Sequence, residues 1–187
     1  MSRLIQIVYI SRSSFITATN STEIEPNVAR ILAKSRVNNR KNGLVGVLYF
    51  GDGCFFQCLE GEDTQVDKLY SKLQQDPRHK DLKLISRKLI NTLTFSNWAM
   101  KFVPLETKLN AELQAHGYTS FDPYKFDAAM TEKVLNLLQI STSVDSQNTD
   151  LQHLDKSSGI KPKNNLALFA IILSIISLTL SIYNLFH

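Results

Sequence analysis

Leu44-Val-Gly-Val-Leu-Tyr-Phe50, Gly51-Asp-Gly53 and Cys54-Phe-Phe-Gln-Cys-Leu-Glu60 follow one another without a break, and their reading decides the fold. Each flank is a short run of apolar, β-branched and aromatic residues, the composition of a strand; the glycines between them permit the positive φ of a hairpin turn. Outward on the N-terminal side, residues 3–10 form another short apolar run and read as a buried strand. Thr22 to Glu25 followed by Pro26 marks a helix start, and Val28, Ile31, Leu32 and Ser35 recur at helical spacing, predicting a helix to about Val37. On the other side, Val66, Leu69, Tyr70 and Leu73 give a second amphipathic helix that must end before Pro77. Leu82–Leu89 and Ala99–Val103 read as the fourth and fifth strands. The order βαββαββ describes an α+β, ferredoxin-like sandwich with two helices on one face of a mixed sheet. Asn110–His116 and Phe126–Gln139 read as two further helices that cap or flank the sheet.

The chain has 187 residues and is 43% hydrophobic, enough for one domain with a proper core and too little for two large ones. Its net charge is +4, and the excess is local: residues 1–106 hold 15 basic and 10 acidic side chains, residues 107–165 hold 6 and 7, and residues 166–187 hold none. That balance suits an anionic ligand, a membrane surface or nucleic acid without choosing among them. Cys54 and Cys58 lack the number for a disulfide framework and the spacing or histidine for a zinc site, so no metal is expected and they read as buried thiols.

Two composition shifts divide the C-terminal part. Residues 141–165 turn to Ser, Thr, Asn, Asp, Gln and Lys with hardly any large apolar residue, which predicts a flexible linker after the flanking helices of residues 107–140. Residues 166–187 are then free of Gly, Pro and acidic or basic side chains apart from the final His187. About 21 residues at ~1.5 Å each cover about 32 Å, the thickness of a hydrocarbon core, so the segment is expected to be one transmembrane helix. Lys161 and Lys163 precede it, which places the large N-terminal part in the cytoplasm and makes the chain a single-pass, C-tail-anchored protein. Ser174, Ser177 and Ser181 lie at helical spacing and suit contact with a second copy.

A search for catalytic patterns finds no GxSxG, P-loop or complete GxGxxG, and no paired carboxylates or Cys/His pair at informative spacing; no enzyme is expected. The informative residues are polar ones placed where a core belongs. Tyr9 ends the first strand, and Gln57 alternates with Phe55 and Leu59, which face inward. A buried amide needs several hydrogen-bond partners, so Gln57 requires a polar neighbour such as the Tyr9 hydroxyl or a heteroatom-rich ligand. Asn38 and Asn39 add amide groups nearby.

Together, Ser35-Arg-Val-Asn-Asn39, Gly43-Leu-Val-Gly46, Asp52-Gly-Cys-Phe-Phe-Gln57-Cys-Leu-Glu-Gly61, Asp76-Pro-Arg-His79 and Trp98-Ala-Met100 resemble the BLUF domain, the flavin-binding blue-light sensor of bacterial photoreceptors. Tyr9 falls where that family has its strand-one tyrosine, and the resemblance covers roughly residues 3–106, with the sensor domain expected over 1–106. Leu44-Val45-Gly46 stands where Ile-Thr-Gly is usual and Lys72 where Arg is common, a point charge without the planar fork. The resemblance implies a bound flavin, FAD or FMN, between the two helices. Its ring end would face Tyr9, Gln57 and Asn39, with Asn38, Asn39 and Ser35 as polar neighbours of the ring, and Lys72 and Arg78 at the phosphates. It further implies that blue light draws an electron and a proton from Tyr9, that their return leaves Gln57 rotated or tautomerised, and that Trp98 and Met100 sense the change. Reversal then only re-pairs a few buried hydrogen bonds of roughly 1 kcal/mol each, so dark recovery is spontaneous.

The expected function is therefore a blue-light photoreceptor acting on an unidentified signalling protein at the membrane, with no nucleic acid bound and a homo-oligomer allowed. Two alternatives share the sandwich. An RRM-like RNA-binding module requires exposed aromatics on an open sheet face and a motif that is missing here. An acylphosphatase-like hydrolase would draw on Arg12 with Ser11, Ser13 and Ser14 after the first strand.

Overall fold

The structure is a computed structural model that describes residues 3–15 and 24–157. In chain order the elements are β1 (Leu4–Ser13), α1 (Pro26–Lys41), β2 (Val45–Gly51), β3 (Cys54–Glu62), α2 (Asp63–Leu73), β4 (His79–Leu89), β5 (Lys101–Phe102), α3 (Glu106–Ala115) and α4 (Ala128–Ser157). The β2–β3 turn works as the sequence requires: Asp52 and Gly53 both take positive φ, 46° and 73°, the geometry whose twist matches that of the flanking strands.

The five strands form one sheet in the order β4-β1-β3-β2-β5, antiparallel except for the β2–β5 pair. This is the expected mixed, ferredoxin-like sheet. Alternation along β1 and β3 then sorts side chains onto two faces. Ile5, Ile7, Tyr9, Phe55 and Leu59 join Val28, Ile31 and Leu32 of α1 and Val66 of α2 in one core. Val8, Ile10, Cys54, Phe56 and Cys58 join Leu109 and Leu113 of α3 and Met130, Val134 and Leu138 of α4 in the other.

Because helices cover both faces, no open aromatic sheet face is present among the described residues: Tyr49, Phe55 and Phe56 are all buried. Helix α1 starts where Pro26 and Glu25 place it, the Glu25 carboxylate accepting from the Val28 amide at 2.9 Å, but it continues past Val37 to Lys41. Arg40 and Lys41 in its last turn complement the negative end of the helix dipole. Asn38 and Asn39 therefore belong to the helix. The fifth strand is only two residues long, since side chains from α1, rather than a neighbouring strand, take up the carbonyls of Ala99 and Met100.

The flexible linker expected over 141–165 needs correction in its first part, because α4 runs on to Ser157. No Gly or Pro interrupts the chain before Gly159, and extending a helix already nucleated costs far less than starting one. Thr142 and Ser143 turn their hydroxyls back to the Gln139 carbonyl, at 2.7 and 3.0 Å, so their polarity is absorbed within the helix. The chain divides into compact units at 1–148 and 149–187. Among the described residues no helix is long and apolar enough to cross a membrane; the candidate span 166–187 and the end of the linker lie outside them.

Candidate functional site

Tyr9 and Gln57 sit opposite each other in the β1–β3 ladder, on the face that α1 and α2 cover. Both are buried, 1% and 2% exposed. The Tyr9 hydroxyl donates to Gln57 Oε1 at 2.8 Å, while Gln57 Nε2 is buried with no partner. An unpaired amide donor in a dry core costs about 1–3 kcal/mol, so this atom marks a place where an acceptor belongs. Burial, with smaller contributions from Cys58 and Tyr70, pushes the Tyr9 phenol far above its ordinary pKa, so it stays a full O–H donor. The Tyr70 ring of α2 meets Tyr9 edge-on, 5.8 Å between centroids.

Between the two helices that cover this face a cavity of about 150 Å³ opens, lined by Ser35, Asn38 and Asn39 of α1, Leu69, Lys72 and Leu73 of α2, and Asp76 and Arg78 of the turn beyond. Five of the residues expected at a flavin thus line one crevice: Ser35, Asn38, Asn39, Lys72 and Arg78. Small-molecule sites start near ~300 Å³. Seating a three-ring heterocycle here therefore requires the side chains between the helices to give way.

The lining groups differ in how committed they are. Arg78 closes a fork on Asp76, with Nε 2.8 Å from Oδ1 and a second nitrogen on the other oxygen, and this pairing holds the Asp76 carboxyl down at about 2. Lys72 is exposed at the rim and has no ion-pair partner among the described residues. Asn39 is buried, its amide donating to the Ala99 carbonyl at 2.7 Å, whereas Asn38 is exposed.

Met100 lies in the same core as Tyr9, and Arg36 Nε donates to its carbonyl at 2.9 Å. Trp98 is half-buried, with its carbonyl on the Gly46 amide at 3.0 Å and the Lys101 ammonium 4.3 Å above its ring. Met100 thus shares the core of Tyr9, whereas Trp98 is held through the Gly46 backbone and Lys101.

Two features escape the sequence reading. His79, next to Arg78 in sequence, is buried rather than solvated; Ser11 Oγ lies 2.7 Å from its Nδ1 and the Phe55 ring packs against it at a tilt, 4.9 Å between centroids. Arg36 shows no sequence signal because its acceptor is a backbone carbonyl 64 residues away. Arg12, on which the hydrolase alternative rested, stacks on Tyr124 at 4.3 Å and pairs with Asp81 at 3.7 Å and Asp122 at 3.6 Å. Two carboxylates around it leave no anion-cradling loop.

The residues present fit a flavin. The unpaired Gln57 Nε2 and the neighbouring amides match the carbonyl-rich edge of the ring, and the cations at the cavity mouth match its phosphates. Comparison with known proteins agrees. Residues 4–101 match the BLUF family, described as sensors of blue-light using FAD. The photoactivated adenylate cyclase subunit beta of Euglena gracilis is 30% identical over 97 residues, 51% of this chain and 11% of that one. The blue light- and temperature-regulated antirepressor BluF of Escherichia coli K12 is 36% identical over 70 residues, 36% of this chain and 17% of that one. Among solved structures, BlsA in its ground state superposes with a TM-score of 0.65 at 31% identity, covering 73% of this chain and 88% of BlsA. The chain spans about a tenth of the cyclase it matches, and nearly all of BlsA aligns with it. With a buried tyrosine–glutamine pair on the sheet face that α1 and α2 cover, and a crevice of amides and cations between those helices, the chain belongs to the BLUF family of flavin-binding blue-light sensors.

Proposed function

We propose that the Tyr9–Gln57 pair is the photochemical centre of this sensor, with flavin held by Ser35, Asn38, Asn39, Gln57, Lys72 and Arg78. The observation that carries it is the buried amide with one end on the Tyr9 hydroxyl and the other unpaired. A bound flavin supplies blue-light absorption and an excited state that accepts an electron and a proton. Everything else is done by the protein. Burial keeps the Tyr9 proton in place in the dark, and the 2.8 Å bond aims it at Gln57 Oε1. Once its electron is drawn away the phenol becomes a strong acid, and the proton leaves along that bond. When electron and proton return, the Gln57 amide is left rotated or tautomerised, so a different donor and acceptor face the ring edge. Met100 and Trp98 feel the new pattern, Met100 from within the Tyr9 core. The change is a local pairing event that biases a two-state element.

The output is contact with a separate signalling protein. Support comes from the relatives, whose names pair the same region with a cyclase in one case and an antirepressor in another. Residues 166–187 form a membrane anchor that keeps the sensor on the cytoplasmic side, a reading that rests on their uncharged composition and on Lys161 and Lys163 before them. FMN satisfies the ring-side residues as FAD does. The test is to purify the protein, identify the flavin released on denaturation, and record its spectrum before and after blue light. Yellow protein with a small, reversible red shift supports the reading; protein that stays colourless when refolded with flavin refutes it. Membrane fractionation of the full chain against a truncation after residue 165 tests the anchor.

A further inference from the structure

Glu60 is the only carboxylate buried among the described residues. It follows Gln57 by three positions on β3 and so points to the opposite face of the sheet. Its Oε1 accepts from Gln6 Nε2 at 2.6 Å, and its Oε2 accepts from the backbone amides of Thr94 and Phe95 at 2.6 and 3.2 Å. All three partners donate, which suits an acceptor-only carboxylate. A buried charge is tolerable only when paired in this way.

Thr94 and Phe95 open the stretch that leads into β5, and its far end is fixed from the other face. There Asn39 holds the Ala99 carbonyl and Arg36 the Met100 carbonyl, at 2.7 and 2.9 Å. Asn39 also lines the crevice between α1 and α2. Between the two fixed ends, Ser96, Asn97 and Trp98 border a second cavity of about 240 Å³, whose other wall includes Thr142 and Ser143 of α4. A displacement at Ala99–Met100 cannot be relieved at Thr94–Phe95, and the Trp98 backbone is itself held, its N–H on the Phe95 carbonyl at 2.9 Å and its carbonyl on the Gly46 amide at 3.0 Å. The displacement is therefore taken up by the Trp98 side chain, which borders the cavity beside α4.

We propose that Glu60 is a positioning residue for signalling, the fixed end against which residues 94–100 convert a change at Asn39 and Met100 into movement of Trp98 beside α4. This rests on the reading of Tyr9 and Gln57 above. It does not require Glu60 to touch flavin.

The experiment uses the full flavin-loaded chain and two optical readouts. The flavin red shift reports Gln57, and the difference in tryptophan fluorescence between dark and light reports Trp98, the chain's single tryptophan. Glu60→Gln has one acceptor oxygen where the carboxylate has two, and turns an NH2 group toward other donors. It is expected to keep the red shift and lose the Trp98 difference. Gln6→Met removes only the contact to β1 and is expected to keep both signals. If Glu60→Gln does not fold, the exchange variant Gln6→Glu/Glu60→Gln preserves the side-chain pair and its charge, and is expected to lose the Trp98 difference alone. A Trp98 difference that survives in Glu60→Gln or in the exchange variant overturns the proposal, as does its equal loss in Gln6→Met, which would signal general disruption. Absence of the red shift in the unaltered chain would defeat the underlying photochemical reading as well.

Discussion

Ser11 and His79 meet 2.7 Å apart on the same sheet face as Tyr9 and Gln57, in a pocket closed by the Phe55 ring. Burial is the dominant influence on His79 and lowers its pKa to about 4, with Asp76 opposing it in part. The folded protein therefore keeps the imidazole neutral while the unfolded chain protonates near its ordinary pKa of about 6.5. Between those values the unfolded state binds the extra proton, so stability falls as the pH drops from about 6.5 to 4 and this loss stops below 4. The whole window is worth about 3 kcal/mol. Urea midpoints at pH 7.5 and 4.5 should differ accordingly, and His79→Gln should flatten most of that difference.

Gly46 is required by space. A Cβ there would lie 2.3 Å from the Cys58 carbonyl oxygen and 3.1 Å from Leu59 Cδ2, and the first of these is backbone of the central strand. Gly46→Ala should cost about 2–3 kcal/mol, read as a lower urea midpoint. It should also disturb the Gly46–Trp98 backbone bond. An unchanged midpoint would show that β2 and β3 yield more easily than a paired sheet should.

How much of this the sequence discloses depends on how far away each partner lies. Gln57 declares itself through period-two alternation with Phe55 and Leu59, and the Asp52-Gly53 turn fixes the hairpin that carries it. Ser35, Asn38, Asn39, Lys72 and Arg78 become a group through their resemblance to a family, and the fold does bring them to one crevice. Burial of His79 and Glu60 is not legible, because each is an ionisable side chain whose partners come from strands or loops distant in sequence. Residues 141–157 mislead for the opposite reason: their polar composition describes a helix face as readily as a linker.

The paired asparagines should separate under mutation. Asn39→Ala removes a buried hydrogen bond to the Ala99 carbonyl and should lower stability by about 1–3 kcal/mol before any effect on flavin. Asn38 is exposed, so Asn38→Ala should change the stability of the flavin-free protein, read from urea unfolding, by less than about 0.5 kcal/mol while weakening flavin retention. Unchanged retention in Asn38→Ala would remove it from the site.

The two cations at the crevice mouth should also differ. Lys72→Ala should weaken FAD binding by about 1 kcal/mol or less, since the group is exposed and screened, and should leave riboflavin, which has no phosphate, unaffected. Arg78→Ala should cost more, because it also leaves the Asp76 carboxylate facing the phosphates without its partner. Titrations with FAD and riboflavin at two salt concentrations check both, and equal losses for the two flavins would place these residues away from the phosphates.

The central claim is that the light response passes through the hydrogen bond from the Tyr9 hydroxyl to Gln57. Its most direct measurement is the light-minus-dark absorption spectrum of flavin-loaded Tyr9→Phe beside the unaltered protein. The unaltered protein should show a reversible red shift, and Tyr9→Phe should bind flavin yet show none. A normal photocycle without that hydroxyl would contradict the account.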